Sequence, residues 1–272
     1  MMRIALAASA TVMGAVSCTT LVPARTLIEP QQGADSYYVT ASRKIDARIA
    51  ERGRPHAKNV ILFIGDGMGI STITAARIYA GQRQGLDGES YQLAMEKLPY
   101  SALSKTYTHD SQVADSAPTA MAMTAGIKSY NGTLGVTQHA DPGDCTSAKH
   151  NATTTLWEMA EAAHMATGVI STAAITHATP AATYAKTTER DWESDANISA
   201  RGKAAGCKDI AAQLIDWTKA QGDGFEVILS GGRANFLPQT MTDPEYPDRR
   251  GRRLDGRNLT EEWKARSLGL VR

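Results

Sequence analysis

Three short stretches carry side chains able to do chemistry. In "VILFIGDGMG", Val60–Gly69, an apolar run falls into glycines spaced two apart with Asp66 between the first pair. Glycines permit a sharp turn, and a carboxylate there suits a divalent cation such as Mg²⁺ or Zn²⁺. A phosphate loop fits less well. The dinucleotide fingerprint calls for glycine where Ile70 stands, Asp66 would repel a pyrophosphate, and no Walker pattern occurs. The alternative use of Asp66 is as a cap for a helix beginning near Ser71. In "QVADSAPTAMAMTAGIK", Gln112–Lys128, Asp115 and Ser116 precede a run of small residues. Ser116 is thereby placed at a helix N-terminus, where free amides and the helix dipole favour an oxyanion, although a serine there also serves as a simple N-cap. The serine-hydrolase elbow is missing, because Ala114 and Pro118 occupy the places of its glycines. Activation by a metal is therefore the more economical route to a nucleophilic serine. In "THATPAATYAKTTERDW", His177, Thr179 and Arg190 offer nitrogen and oxygen ligands plus a guanidinium suited to phosphate. Taken singly, each of these three is an ordinary loop residue.

These residues need elements to hold them. Val60–Ile64, five large apolar residues in a row, predicts a strand buried on both faces of a parallel sheet. A helix through "STITAARIYAG" follows, stopping at Gly81. "TGVIST" from Thr167 and "FEVILSGG" from Phe225 repeat the short apolar strand, and helical windows at Thr155–Ala163 and Asp209–Ala220 precede them. The alternation predicts an α/β sandwich with a largely parallel sheet, with ligands at the carboxyl ends of its strands. Ahead of the first strand, "YYVTASRKIDARIAERG" predicts an amphipathic helix.

The 272 residues carry a formal net charge of +1, which gives no electrostatic case for nucleic acid. The basic run Asp248–Arg257, interleaved with acids and glycines, reads as a solvated loop. Residues 1–24 have the form of a secretory signal, with Cys18 in a loose lipoprotein cleavage pattern that would give the chain its one route to a membrane. Export leaves Cys145 and Cys207, which suggests one disulfide closing a long loop. Residues 25–57 are expected to form an N-terminal arm and helix ahead of an α/β portion at 58–272. Four glycosylation tripeptides, at Asn131, Asn151, Asn197 and Asn258, are discounted because the signal looks bacterial.

"NVILFIGDGMG", "DSAPTA", "HATPAATYA" with "ERDW", and "GCKDIAAQLI" followed by "VILSGGR" occur in the order and spacing of alkaline phosphatases. The chain resembles that family, especially its animal-type branch, from about Asp35 onward. The resemblance implies a three-layer α/β sandwich and a homodimeric hydrolase of phosphate monoesters. It further implies a phosphoserine intermediate, two zinc ions and one magnesium ion. Carried over residue by residue, Ser116 matches the nucleophile and itself a metal ligand, Arg190 the phosphate-binding arginine, and Asp115 the neighbour that orients it. Asp66 matches a carboxylate shared between zinc and magnesium, Thr179 a magnesium ligand, and His177 the residue that tunes the magnesium site. Cys145 and Cys207 match a disulfide pair, and Glu245 a ligand of a peripheral calcium site. Met121 stands where a threonine is usual and Pro118 where a small residue is usual, for which altered packing rather than lost chemistry is expected. The family's remaining ligands have no counterpart before Arg272. The chain is therefore expected to be the N-terminal portion of a longer protein, carrying about half a metal site. Two rivals stay open: a related phosphodiesterase or sulfatase-like hydrolase, and a non-catalytic fragment.

Overall fold

The computed structural model describes residues 28–52, 57–98, 100–220 and 224–267. The signal-like leader with Cys18 lies outside them. Among the described residues the helices are α1 (Ser36–Arg52), α2 (Ile70–Gln82), α3 (Ser116–Thr124), α4 (Cys145–His150), α5 (Leu156–Ala162), α6 (Ala178–Ala181), α7 (Ala200–Ala204), α8 (Ile210–Ala220) and α9 (Leu259–Ser267). Two strands, β1 (Gly168–Ala174) and β2 (Val227–Gly231), pair in parallel, with Gly168, Val169 and Ile170 opposite Val227, Ile228 and Leu229. The α/β class and the parallel pairing hold, and the sheet within the described residues is two-stranded. No helix of the described residues is long and apolar enough to cross a membrane.

Local chemistry accounts for the helix starts. At α5, Thr155 Oγ1 accepts from the Glu158 amide at 3.2 Å while Glu158 Oε2 accepts from the Thr155 amide at 2.6 Å, a reciprocal capping box. Asp144 caps α4 by accepting from the Thr146 and Ser147 amides. The amphipathic α8 turns Ile210, Leu214, Ile215 and Trp217 inward, and Trp217 stacks on Phe225 at 4.1 Å between ring centroids. With Ala117, Ala120, Met121, Ile127, Leu134 and Tyr184 they make one core beneath β1 and α3. Met121 and Pro118, the two departures from the family pattern, are both buried, and the Met121 sulfur accepts from the Gly135 amide at 2.9 Å. The Met121 side chain is part of the core. The Cys145–Cys207 disulfide is formed.

Two expectations are corrected. Val60–Ile64 is not a strand: it runs without a sheet partner, and Val60, Ile61, Leu62 and Phe63 are exposed. An apolar run supplies the side chains of a buried strand, but only pairing of its backbone makes one, and β1 pairs with β2 instead. The basic run is not simply a solvated loop either. The Arg253 side chain is 0 % exposed. It makes a two-pronged ion pair with Asp209, at 2.9 and 3.1 Å, and a second one with Asp255 at 2.5 Å. Paired this way a guanidinium can be buried, and the carboxylates hold its charge firmly in place.

Candidate active site

The α3 N-terminus is fixed by one carboxylate. Asp115 is the N-cap, with Oδ1 accepting from the Ala117 amide and Oδ2 from the Gly132 amide, both at 2.7 Å. Ser116 is therefore the first residue inside the helix, one place beyond the cap. Its hydroxyl is left free for another partner. Beneath it Ala117, Pro118, Ala120 and Met121 are buried, so the helix end cannot tilt without disturbing the core.

Arg190 supplies that partner. Its Nη1 donates to Ser116 Oγ at 3.0 Å and lies 3.6 Å from Asp115 Oδ1, with the side chain 19 % exposed. The loop that carries it is pinned twice. Leu134 and Thr187 exchange backbone hydrogen bonds at 2.8 and 2.7 Å, and the Arg190 amide donates to Gly132 O at 2.7 Å. Gly132 thus touches Asp115 through its N–H and Arg190 through its carbonyl. It adopts φ 80°, which glycine alone takes without strain. Gly132 lies outside the motifs that single out the site, although the Asn131-Gly132 pair is a turn signature.

The second set of residues gathers past the carboxyl end of β1. His177 caps α6 from the backbone, and its Nδ1 is buried with no hydrogen-bond partner. Two residues on, Thr179 Oγ1 donates to Asp66 Oδ2 at 2.7 Å across 113 residues of sequence. Asp66 occupies a turn closed by the Met68 amide donating to Gly65 O, with Gly67 at φ 65°. It does not cap α2, whose N-cap is Gly69 without a side-chain bond. Helices α3 and α6 pack together, which brings the two sets alongside each other.

A family model described as alkaline phosphatase matches residues 57–272. The chain belongs to the alkaline phosphatase family. An alkaline phosphatase of Gadus morhua is 45 % identical over 242 residues, spanning 88 % of this chain and 50 % of its own length. The tissue-nonspecific alkaline phosphatase of Gallus gallus is 44 % identical over 219 residues, 79 % of this chain and 41 % of its own. Among solved structures, the cold-active enzyme of a Shewanella species (TM-score 0.51, 28 % identity) covers 75 % of this chain and 39 % of its own. That of Thermus thermophilus (TM-score 0.51, 28 % identity) covers 74 % and 33 %. The chain thus spans half or less of the length of the alkaline phosphatases it matches.

Glu245 stands apart from both sets. Its carboxylate accepts from Arg233 Nη2 at 2.9 Å, and Arg233 also pairs with Asp243 at 2.9 Å. The described residues contain no group of three or more His, Cys, Asp and Glu able to hold a metal ion.

Proposed function

We propose that this chain carries the nucleophile and the phosphate clamp of an alkaline phosphatase acting on phosphate monoesters. The observation that carries the reading is the 3.0 Å contact between Arg190 and Ser116 at a helix N-terminus. A guanidinium and a hydroxyl meeting at the positive end of a helix dipole form a receptor for a tetrahedral dianion. Arg190 holds two phosphate oxygens and spreads the charge that builds up on them. Ser116 Oγ attacks phosphorus in line as its proton passes to solvent. The P–Oγ bond forms as the ester P–O bond breaks, and the alcohol departs with that bond's electron pair and takes up a proton. Water then attacks the phosphoserine, breaks the P–Oγ bond and returns a proton to the serine, releasing phosphate. Asp115, whose oxygens accept from the Ala117 and Gly132 amides and which stands 3.6 Å from Arg190 Nη1, serves to orient the helix end and the guanidinium.

The family resemblance implies one magnesium and two zinc ions. The Asp66 carboxylate and the Thr179 hydroxyl are hard oxygen donors that fit magnesium, and the unpartnered His177 nitrogen lies two residues away. A bound divalent cation would supply positive charge that favours the ionised serine oxygen. For a pair of zinc ions this chain offers Asp66 and Ser116, which fall short of a full ligand set. The calcium reading at Glu245 is the weakest, since Arg233 already neutralises that carboxylate. Export through residues 1–24, a periplasmic or surface location with lipidation at Cys18, and homodimerisation belong to the same proposal.

The test is hydrolysis of p-nitrophenyl phosphate at alkaline pH by the protein expressed from its complete open reading frame. Ser116→Ala should reduce turnover by roughly 10³-fold or more, and chelation should abolish it. Undiminished turnover by Ser116→Ala would remove the nucleophile from the account. Faster turnover of bis-p-nitrophenyl phosphate or p-nitrophenyl sulfate would replace the substrate class.

A further inference from the structure

The two sets of site residues come from separate loops, and a half-buried carboxylate joins them. Glu193 lies three residues after Arg190. Its Oε2 accepts from Thr176 Oγ1 at 2.5 Å and from Asn235 Nδ2 at 3.0 Å, and Asn235 Nδ2 also donates to Thr176 Oγ1 at 2.7 Å. Thr176 immediately precedes His177, and Asn235 stands in the 3-10 turn after β2. Thr176 is 0 % and Asn235 2 % exposed. Asn235 is itself anchored, donating from its amide to Gly232 O at 3.0 Å and accepting at its carbonyl from Arg253 Nη1 at 3.3 Å. The Glu193 carbonyl accepts from the Ala211 amide at 3.3 Å. The network therefore ties the Arg190 loop to the exits of both strands.

A carboxylate whose hydrogen-bond donors here are neutral gains less stability than one paired with a guanidinium. Neutral side chains of similar shape could fill the same space without desolvating a charge. What the carboxylate does provide is a strong, directional acceptor that fixes two loops at one separation. That separation matters because Arg190 must meet the phosphate at the place where Ser116 and the Thr179 turn also face it. A displacement of about 1 Å at such a site costs on the order of 10²-fold in rate.

We infer that Glu193 is a positioning residue, acting through Thr176 and Asn235 to hold the Arg190 guanidinium in register with the His177–Thr179 turn. The inference rests on the proposal that Arg190 binds phosphate. It is tested by calorimetric titration of inorganic phosphate into the metal-loaded protein from the complete open reading frame, with a thermal midpoint for every variant. Glu193→Ala should weaken phosphate binding about tenfold in the wild-type background and less than about twofold in Arg190→Ala, because both changes remove the same preorganised contact. Glu193→Gln, which keeps an acceptor oxygen for Thr176, should recover most of the loss. Thr176→Val, which removes the donor at the other end, should give the same coupled loss and keeps the test open if Glu193→Ala does not fold. Equal losses with and without Arg190, or a lowered midpoint at unchanged phosphate affinity, would reduce Glu193 to a structural pin and overturn the inference. Unchanged affinity in Arg190→Ala alone would instead overturn the phosphate-binding proposal beneath it.

Discussion

The loop that delivers Arg190 and the turn that delivers Asp66 reach neighbouring places by unlike means. Arg190 is held by backbone pairing at Thr187 and Gly132, over a core that includes Leu134, Met121 and Tyr184. Asp66 is held to the rest of the described chain through the Thr179 hydroxyl, while its flanks, Val60–Phe63 and Ile70, are exposed. The hydrogen bonds around it are otherwise local, such as Arg77 with Glu96 at 2.9 Å. One half of the site is thus built into a packed interior, and the other approaches along an uncovered segment. Complementary chemistry can be assembled from parts whose mechanical support differs widely.

The sharpest probe of the packed half is Arg253→Met. It strands Asp209 without its guanidinium and should lower stability by about 4 kcal/mol, read as a fall in denaturation midpoint. A change below about 1 kcal/mol would show that this ion pair does not help to knit that half together. Reduction of Cys145–Cys207, which closes a loop with a sequence separation of 62, should cost roughly 3–4 kcal/mol, measured by melting with and without reductant. Leu134→Ala should cost about 3 kcal/mol by opening a cavity, whereas Phe63→Ser, 89 % exposed, should change the isolated chain by less than about 0.5 kcal/mol. A large loss from Phe63→Ser would erase the contrast, because it would mean the uncovered segment is packed in solution. Acid should act mildly. Amide hydrogen bonds from Thr146 and Ser147 depress the Asp144 carboxyl. Its capping contribution is therefore complete above the ordinary aspartate value of about 3.9 and is lost as pH falls through the lower folded value. In Asp144→Ala the acid limb of a melting-versus-pH curve should flatten slightly.

The parts of this structure that announce themselves in the sequence are those whose signal is local. β1 and β2 follow from apolar runs bounded by small residues, and α5 from the Thr155–Glu158 spacing. Ser116 is legible as a helix-start residue, but the cap proved to be Asp115, since a carboxylate can also reach back to Gly132. Val60–Ile64 misleads because hydrophobicity specifies what a strand would bury and says nothing of which backbone it pairs with. Arg253 is hidden in "RRGRR", where composition suggests solvent and three-dimensional placement beside Asp209 decides otherwise. The Arg190–Ser116 and Asp66–Thr179 contacts, at 74 and 113 residues of separation, lie beyond any periodicity, and the motifs shared with alkaline phosphatases single out the residues without giving their pairing.

The disulfide has a topological consequence. The span it closes contains His177, Thr179, Arg190 and Glu193, while Asp66 and Ser116 lie outside it. Oxidation thus closes the segment that carries Thr179 and Arg190 into a covalent ring, and Ser116 docks against that ring from outside through its contact with Arg190. A chain matured where its cysteines stay reduced would keep every one of these side chains and lose the hoop that limits how far they can drift apart.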